Sequence, residues 1–178
     1  RLTDVTGVQT CALPISGNTF AARLIDVGAL VNPGNPAAFK AVDLAVDPNS
    51  GIVSFLGNSA TGPAIAVIDP SLDPSVSPVV NLIQLGGGGH ALGISPNGQW
   101  VTGASVADTS GHAVLWSIAD PANRTDLGFG PSTLAPPTAE GFGAANDGSV
   151  AGWSGLTAAV WGPGGGGATE LLLTVPLA

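Results

Sequence analysis

His90 and His112 are the only histidines of the 178-residue chain. Imidazoles are the first groups to consider for metal ligation or proton transfer near neutral pH. They stand 22 positions apart. Zinc wants three or four ligands, and no third ligand stands at a usable spacing. His90 follows four glycines and His112 follows Gly111, so each reads as a residue entering a strand. Asp47-Pro48-Asn49-Ser50-Gly51 opens like a calcium loop. Its twelfth position is Asn58, where a bidentate Glu is required; the same five residues read better as a hairpin turn. No Gly-x-Ser-x-Gly elbow occurs. The runs Gly86–Gly89 and Gly164–Gly167 lack the Lys-Ser/Thr and following helix of a phosphate loop, and are expected to be flexible connections. No catalytic residue, metal ligand or cofactor is expected.

Four tryptophans remain. Trp116 and Trp161 recur at one position of a repeated pattern, which points to packing between units. Trp100 and Trp153 do not, and they are the candidate ligand contacts, on a surface that could take a sugar.

The elements that would position these side chains are written three times. One copy runs from Ala91 through Ser95-Pro96-Asn97-Gly98 and Ala113-Val114-Leu115-Trp116 to Asp126-Leu127-Gly128. A second runs from Gly141 through Asn146-Asp147-Gly148 and Ala158-Ala159-Val160-Trp161 to Leu171. A fainter one runs from Leu44 through Asp47-Pro48-Asn49 and Ile65-Ala66-Val67-Ile68 to Leu82, with Ile68 expected where the others carry Trp. Pro48 and Pro96 are 48 apart, and Gly98 and Gly148 are 50 apart. Four short strands with their turns need about 40–50 residues, the length of a propeller blade.

The expected fold is therefore all-β: repeated four-stranded antiparallel units forming a partial β-propeller, about three blades plus one leftover strand. The units are 39–85, 86–130 and 139–174, within a domain spanning 39–178; residues 17–38 end a truncated repeat. Expected strands are 19–28, then 41–46, 52–56, 64–68 and 79–85, then 90–95, 99–104, 113–118 and 124–129, then 141–145, 149–153, 158–162 and 169–174. Asn97-Gly98 and Asp147-Gly148 predict two-residue hairpin loops. Three prolines in 69–78 exclude a central strand there, 131–137 is a linker, and no stretch shows a helical apolar period.

Composition narrows the function classes. Net charge is −8, with Arg1, Arg23, Lys40 and Arg124 the only cations. Nucleic-acid binding needs clustered Lys and Arg, so no nucleic-acid partner is expected. Insertion into a membrane is not expected either, since no apolar run approaches about 18 residues. The hydrophobic share of 44% argues against disorder despite 27 glycines and 15 prolines.

Two resemblances add to this. Gly93-Ile94-Ser95-Pro96-Asn97-Gly98-Gln99-Trp100-Val101-Thr102-Gly103, followed by Ala113-Val114-Leu115-Trp116 and Asp126-Leu127-Gly128, resembles the bacterial extracellular HAF-repeat family. Its pattern is Ala-x-Gly-Ile-Asn/Ser-x-x-Gly-x-Val-x-Gly, then Ala-Phe-Leu-Trp, then Asp-Leu-Gly. The likeness covers about 40–173; the first unit departs from it at Ile68 and Leu56-Gly57. It implies an extracellular or cell-surface protein of propeller-like β architecture, and no catalytic residues. Separately, Val5-Thr6-Gly7-Val8-Gln9-Thr10-Cys11-Ala12-Leu13-Pro14-Ile15 resembles the in-frame translation of a common sequencing-library adapter. Residues 1–16 are therefore expected to be a sequencing artefact with few contacts to the remainder, although 5–15 would also pass for a short apolar strand. The one cysteine, Cys11, lies there.

The expected function is that of a fragment of a secreted or cell-surface bacterial repeat protein with a binding or scaffolding role and no catalysis. Its partner would be an extracellular ligand, protein or carbohydrate, and its edges would pair with missing blades. The alternative is a fragment of a propeller hydrolase or lactonase whose catalytic residues lie on those blades.

Overall fold

Short runs of Val, Ile, Leu and Ala, punctuated by Asp, Asn and Gly turns, leave the backbone few options besides extended strands paired through tight turns. The computed structural model describes residues 8–15, 19–28, 35, 39–69, 79–105, 111–130 and 138–171. Among them lie fourteen strands: β1 (Val8–Ile15), β2 (Thr19–Asp26), β3 (Lys40–Val46), β4 (Val53–Ser59), β5 (Gly62–Ile68), β6 (Val79–Gln84), β7 (His90–Ile94), β8 (Trp100–Ala104), β9 (Ala113–Ser117), β10 (Asp120–Gly128), β11 (Ala139–Ala144), β12 (Val150–Ser154), β13 (Thr157–Gly162) and β14 (Gly166–Leu171). Helical residues among those described are Val27, Gly28 and a 3-10 turn at Pro163–Gly165. Among the described residues, no helix is long and apolar enough to cross a membrane.

The strands form three four-stranded antiparallel sheets in simple meander order, β3-β4-β5-β6, β7-β8-β9-β10 and β11-β12-β13-β14, plus the pair β1-β2. Each sheet is one expected unit. The third strand of unit 2 is apolar on both faces because both faces are covered: four of the five residues of β9 are buried. The fourth strand of unit 2, β10, is a polar, largely exposed edge carrying Asp120, Asn123, Arg124 and Asp126, a composition that discourages pairing with other chains.

One irregularity repeats in all three units. The first strand bulges against the second between Ala41 and Asp43, between Ala91 and Gly93, and between Gly141 and Gly143. The extra residues are Val42, Leu92 and Phe142. The bulges fix the register between units. Gly57, Gly103 and Gly152 are equivalent, each followed two residues on by a serine: Ser59, Ser105 and Ser154.

That register corrects part of the expected equivalence. Val101 opposes Trp116, Val150 opposes Trp161, and in unit 1 Phe55 opposes Ala66. Ala66, not Ile68, therefore holds the Trp position. Unit 1 has a longer hairpin arm, so Ile68 falls two residues further along the same face, where it too is buried.

The turns also differ from expectation. In unit 2 the Gly98 N–H donates to the Ser95 carbonyl and the Ser95 N–H to the Trp100 carbonyl. The turn thus closes over Pro96-Asn97, and Gly98 follows it at φ +68°. Pro96 fixes φ near −65°, which suits the first central position of a type I turn and excludes the expected two-residue loop. Unit 3 does the same over Asn146-Asp147, with Gly148 at φ +82°.

Three further expectations change. Gly86–Gly89 is not a free connection. The Gly86 N–H donates to the Pro121 carbonyl, the Gly86 carbonyl accepts from the Trp116 indole at 2.8 Å, and the Gly88 carbonyl accepts from Arg124 at 3.0 Å. Gly164–Gly167 likewise belongs to the 3-10 turn and the start of β14. Strand β1 pairs residue for residue with β2, from Val8 opposite Asp26 to Ile15 opposite Thr19, rather than making few contacts. Strands β10, β11 and β14 begin before the expected 124, 141 and 169, where turn residues continue the pairing. The prolines of 70–78, the linker 131–137 and the end of the last expected strand lie outside the described residues.

The sheets pack face to face in chain order. Leu56, Ile65 and Leu85 of unit 1 form one buried cluster with Ala91, Ile94, Val114 and Trp116 of unit 2. Leu115 and Leu127 of unit 2 form another with Val150 and Trp161 of unit 3. On the remaining face of unit 1, Phe55, Ala66 and Ile68 are closed over by Val27 and Phe39. Strand β7 touches both β3 and β11, so the three first strands adjoin.

Candidate functional site

The adjoining first strands place the three bulged residues in sequence along one side of the sheets. A bulge leaves one residue without a ladder partner and turns its side chain. Val42 is 41% exposed, Leu92 is half-buried and Phe142 is 52% exposed. Exposed apolar groups grouped on one surface are a feature of binding sites. They recur at intervals of 50 residues, a signal present in the sequence but hidden until the bulges are known.

The hairpin tips form a second, polar surface. Asp47 accepts from the Asn49 N–H and the Ser50 hydroxyl, and Asp147 accepts from the Ser149 N–H. The Ser50 hydroxyl, with the Asn49 N–H, holds the Asp47 carboxyl below its ordinary value; the backbone N–H of Ser149 does the same for Asp147. The tips of units 2 and 3 are tied together: the Asn97 N–H donates to Asn146 Oδ1 at 2.9 Å, and Asn97 Nδ2 donates to the Asn146 carbonyl at 3.3 Å.

The two candidate tryptophans are separated. Trp100 opens β8, packs against the core between units 2 and 3, and lays its ring over Gly148. Trp153 stands near the end of β12, half-buried, with its indole N–H donating to Glu140 Oε2 at 3.3 Å. They do not converge on one ligand patch. Trp116 and Trp161 are fully buried in the clusters between units, as expected.

The histidines are also apart in environment. His90 begins β7, exposed, opposite Ala104. His112 precedes β9 and meets Asp126: Nδ1 lies 2.6 Å from Asp126 Oδ2, with the side chains 33% and 49% exposed. Phe129 meets the His112 ring edge-on at 4.3 Å. The backbone N–H of His112 donates to Ser105 Oγ at 2.8 Å. Burial alone would raise the Asp126 carboxyl. The hydrogen bond from His112, the Gly128 N–H and the charges of His112 and Arg124 outweigh it and hold Asp126 below its ordinary value. Sequence spacing did not single out this pair, because it depends on β10 lying beside β9. No group of three or more His, Cys, Asp or Glu able to hold a metal occurs among the described residues.

Chemically, this is a set of surfaces for contact: an apolar row on the first strands, polar tips, and one carboxylate–imidazole pair at the start of β9. Comparison of the chain with protein-family models, with curated proteins and with solved structures returns no match.

Proposed function

We propose that this chain is part of a secreted or cell-surface bacterial repeat protein of propeller type, with a binding or scaffolding role. The observation that carries the reading is the row of adjoining first strands, each bulged at the same place and together presenting Val42, Leu92 and Phe142. Meander sheets packed face to face with their first strands inward are the parts from which a propeller is made, and a closed ring takes at least four of them. The HAF-repeat resemblance supports the same reading and rests on the quoted residues alone. The acidic, lysine-poor composition favours a neutral or cationic ligand over nucleic acid.

The test is a binding screen of the whole chain against arrayed extracellular proteins and polysaccharides. A ligand held at the apolar row loses affinity by about tenfold or more in Phe142→Asp, while circular dichroism stays unchanged. Equal binding by the variant would remove the row from the reading. Loss of binding in Trp153→Ala alone would move the site to that tryptophan.

His112 and Asp126 favour a second reading, that of a propeller hydrolase. An imidazole whose Nδ1 faces a carboxylate is oriented as a general base would be. Turnover in a broad hydrolase panel that is abolished by His112→Ala would establish it in place of the first.

A further inference from the structure

We propose that the outer face of unit 3 is a docking face for a further four-stranded unit of this same type, supplied from outside residues 1–178. This deepens the propeller-type reading and rests on it. In unit 2 the cross-strand pairs Thr102–Leu115 and Ala104–Ala113 face unit 3, and all four residues are buried. Their counterparts in unit 3 are Ala151–Val160 and Trp153–Ala158. Here Ala151 and Ala158 are exposed, and Val160 and Trp153 are half-buried. Both faces are largely apolar at these four positions, and only in unit 2 are all four residues buried.

A glycine identifies the occupant. A Cβ on Gly93 would lie 2.1 Å from the carbonyl oxygen of Phe142, the bulged residue of unit 3. Gly93 is thus the seat for the bulge of the next unit. Gly143 holds the same position in unit 3, opposite Ala151 as Gly93 is opposite Thr102. Among the described residues, nothing lies within 4 Å of where its Cβ would stand. The seat is shaped for a bulged first strand and faces open space.

A second copy of this chain does not fit as the occupant. Units 2 and 3 already bury the faces that carry Trp116 and Trp161. The corresponding face of unit 1 is closed by Val27 and Phe39. The incoming unit must bring its own free face, with a small residue two positions before its equivalent of Gly93, as Ala91 and Gly141 supply.

The experiment joins a second copy of residues 131–178 to the end of the full chain, in a Cys11→Ser background. A single reporter, Ala158→Cys, is placed in the original unit 3. The readout is the rate of thiol labelling by a maleimide. Docking slows labelling by about tenfold or more relative to the unextended chain, as expected for a site that opens only transiently. Gly143→Val leaves the unextended chain's unfolding midpoint unchanged and restores fast labelling in the extended one. Equal labelling rates in the two chains would overturn docking, whether the appended copy is folded or not, because unit 3 itself folds onto unit 2 through the seam being copied. Labelling of the unextended chain that slows with its own concentration would assign the face to a second copy and overturn the choice of occupant. Binding at the apolar row is measured separately, so its loss or survival leaves the docking result legible.

Discussion

The two seams between units bury similar apolar residues and hold them by different means. Between units 1 and 2, side chains grip backbone. Asn58 Nδ2 donates to the Ala91 carbonyl and Asn58 Oδ1 accepts from the Ala91 N–H, both at 2.9 Å. Asp43 accepts from the Ile94 N–H at 2.9 Å. Within unit 2, the Trp116 indole buried at this seam donates to the Gly86 carbonyl. Between units 2 and 3, such stitching joins the Asn97–Asn146 tips, and along the strands the backbones themselves come close. Gly93 admits the Phe142 carbonyl, Gly141 admits the Thr102 side chain, and Gly148 lies under the Trp100 ring. The Trp161 indole N–H has no partner among the described residues. One repeat thus tolerates two solutions along its first strands, polar stitching in one seam and glycine contact in the other.

The largest effect tests what the seams share. Trp116→Ala and Trp161→Ala each cost about 3–5 kcal/mol, the range for deleting a buried aromatic, read by chemical denaturation. Replacement by Phe then separates the seams. Trp116→Phe leaves the Gly86 carbonyl without its donor, adding about 1–3 kcal/mol; Trp161→Phe breaks no described bond. Equal costs for the two Phe variants would erase the distinction between seams.

Next comes the glycine contact. Gly93→Ala places a methyl against a backbone carbonyl that cannot rotate away, costing about 1–3 kcal/mol by overpacking. Gly143→Ala, at the equivalent open position, changes the unfolding free energy by less than about 0.5 kcal/mol. A neutral Gly93→Ala would mean that the second seam is not set by close approach. On the other seam, Asn58→Ala removes two hydrogen bonds and leaves the Ala91 N–H and carbonyl to find water, at about 1–2 kcal/mol. Hydrogen exchange at Ala91 should rise in that variant while exchange at Val160 stays as it was.

These contrasts mark how far the sequence could be read. The meander units were legible because period-two apolar runs and Asp/Asn-Gly turns are local signals, and three copies reinforce one another. Trp116 and Trp161 were legible as packing residues because they recur. Ala66 was not, because a bulge adds a residue on one strand only and two extra residues lengthen one arm, so counting along the chain from Trp to Ile68 gives the wrong partner. The turn type depended on Pro96, which outweighs the Asn-Gly pair beside it. The surfaces were least legible. The Val42, Leu92 and Phe142 row needs the bulges, and the His112–Asp126 pair needs the fourth strand laid against the third. Neither is a motif of neighbouring residues.

The smallest effect is electrostatic and falls on one seam. Asp126 lies next to Leu127, which belongs to the core between units 2 and 3, and His112 immediately precedes β9. Their contact therefore straps β10 onto that seam. The Asp126 carboxyl is held below its ordinary value of 3.8 in the folded chain, so the charged form favours the folded state. By linkage, that contribution is fully present above pH 3.8 and is lost as pH falls through the lower folded value. Because both side chains are largely solvated, the size is well under that of a buried pair. The measurement is the difference in unfolding midpoint between the wild type and Asp126→Asn. It should shrink as pH falls from 3.8 through the lower folded value. Hydrogen exchange should place the acid-induced loosening at Leu127 and Ala168 before it reaches Leu56 and Ile65 in the stitched seam. A gap that persists unchanged at the acid end would mean that the Asn substitution acts through packing, and that the pair does not fasten the second seam by charge.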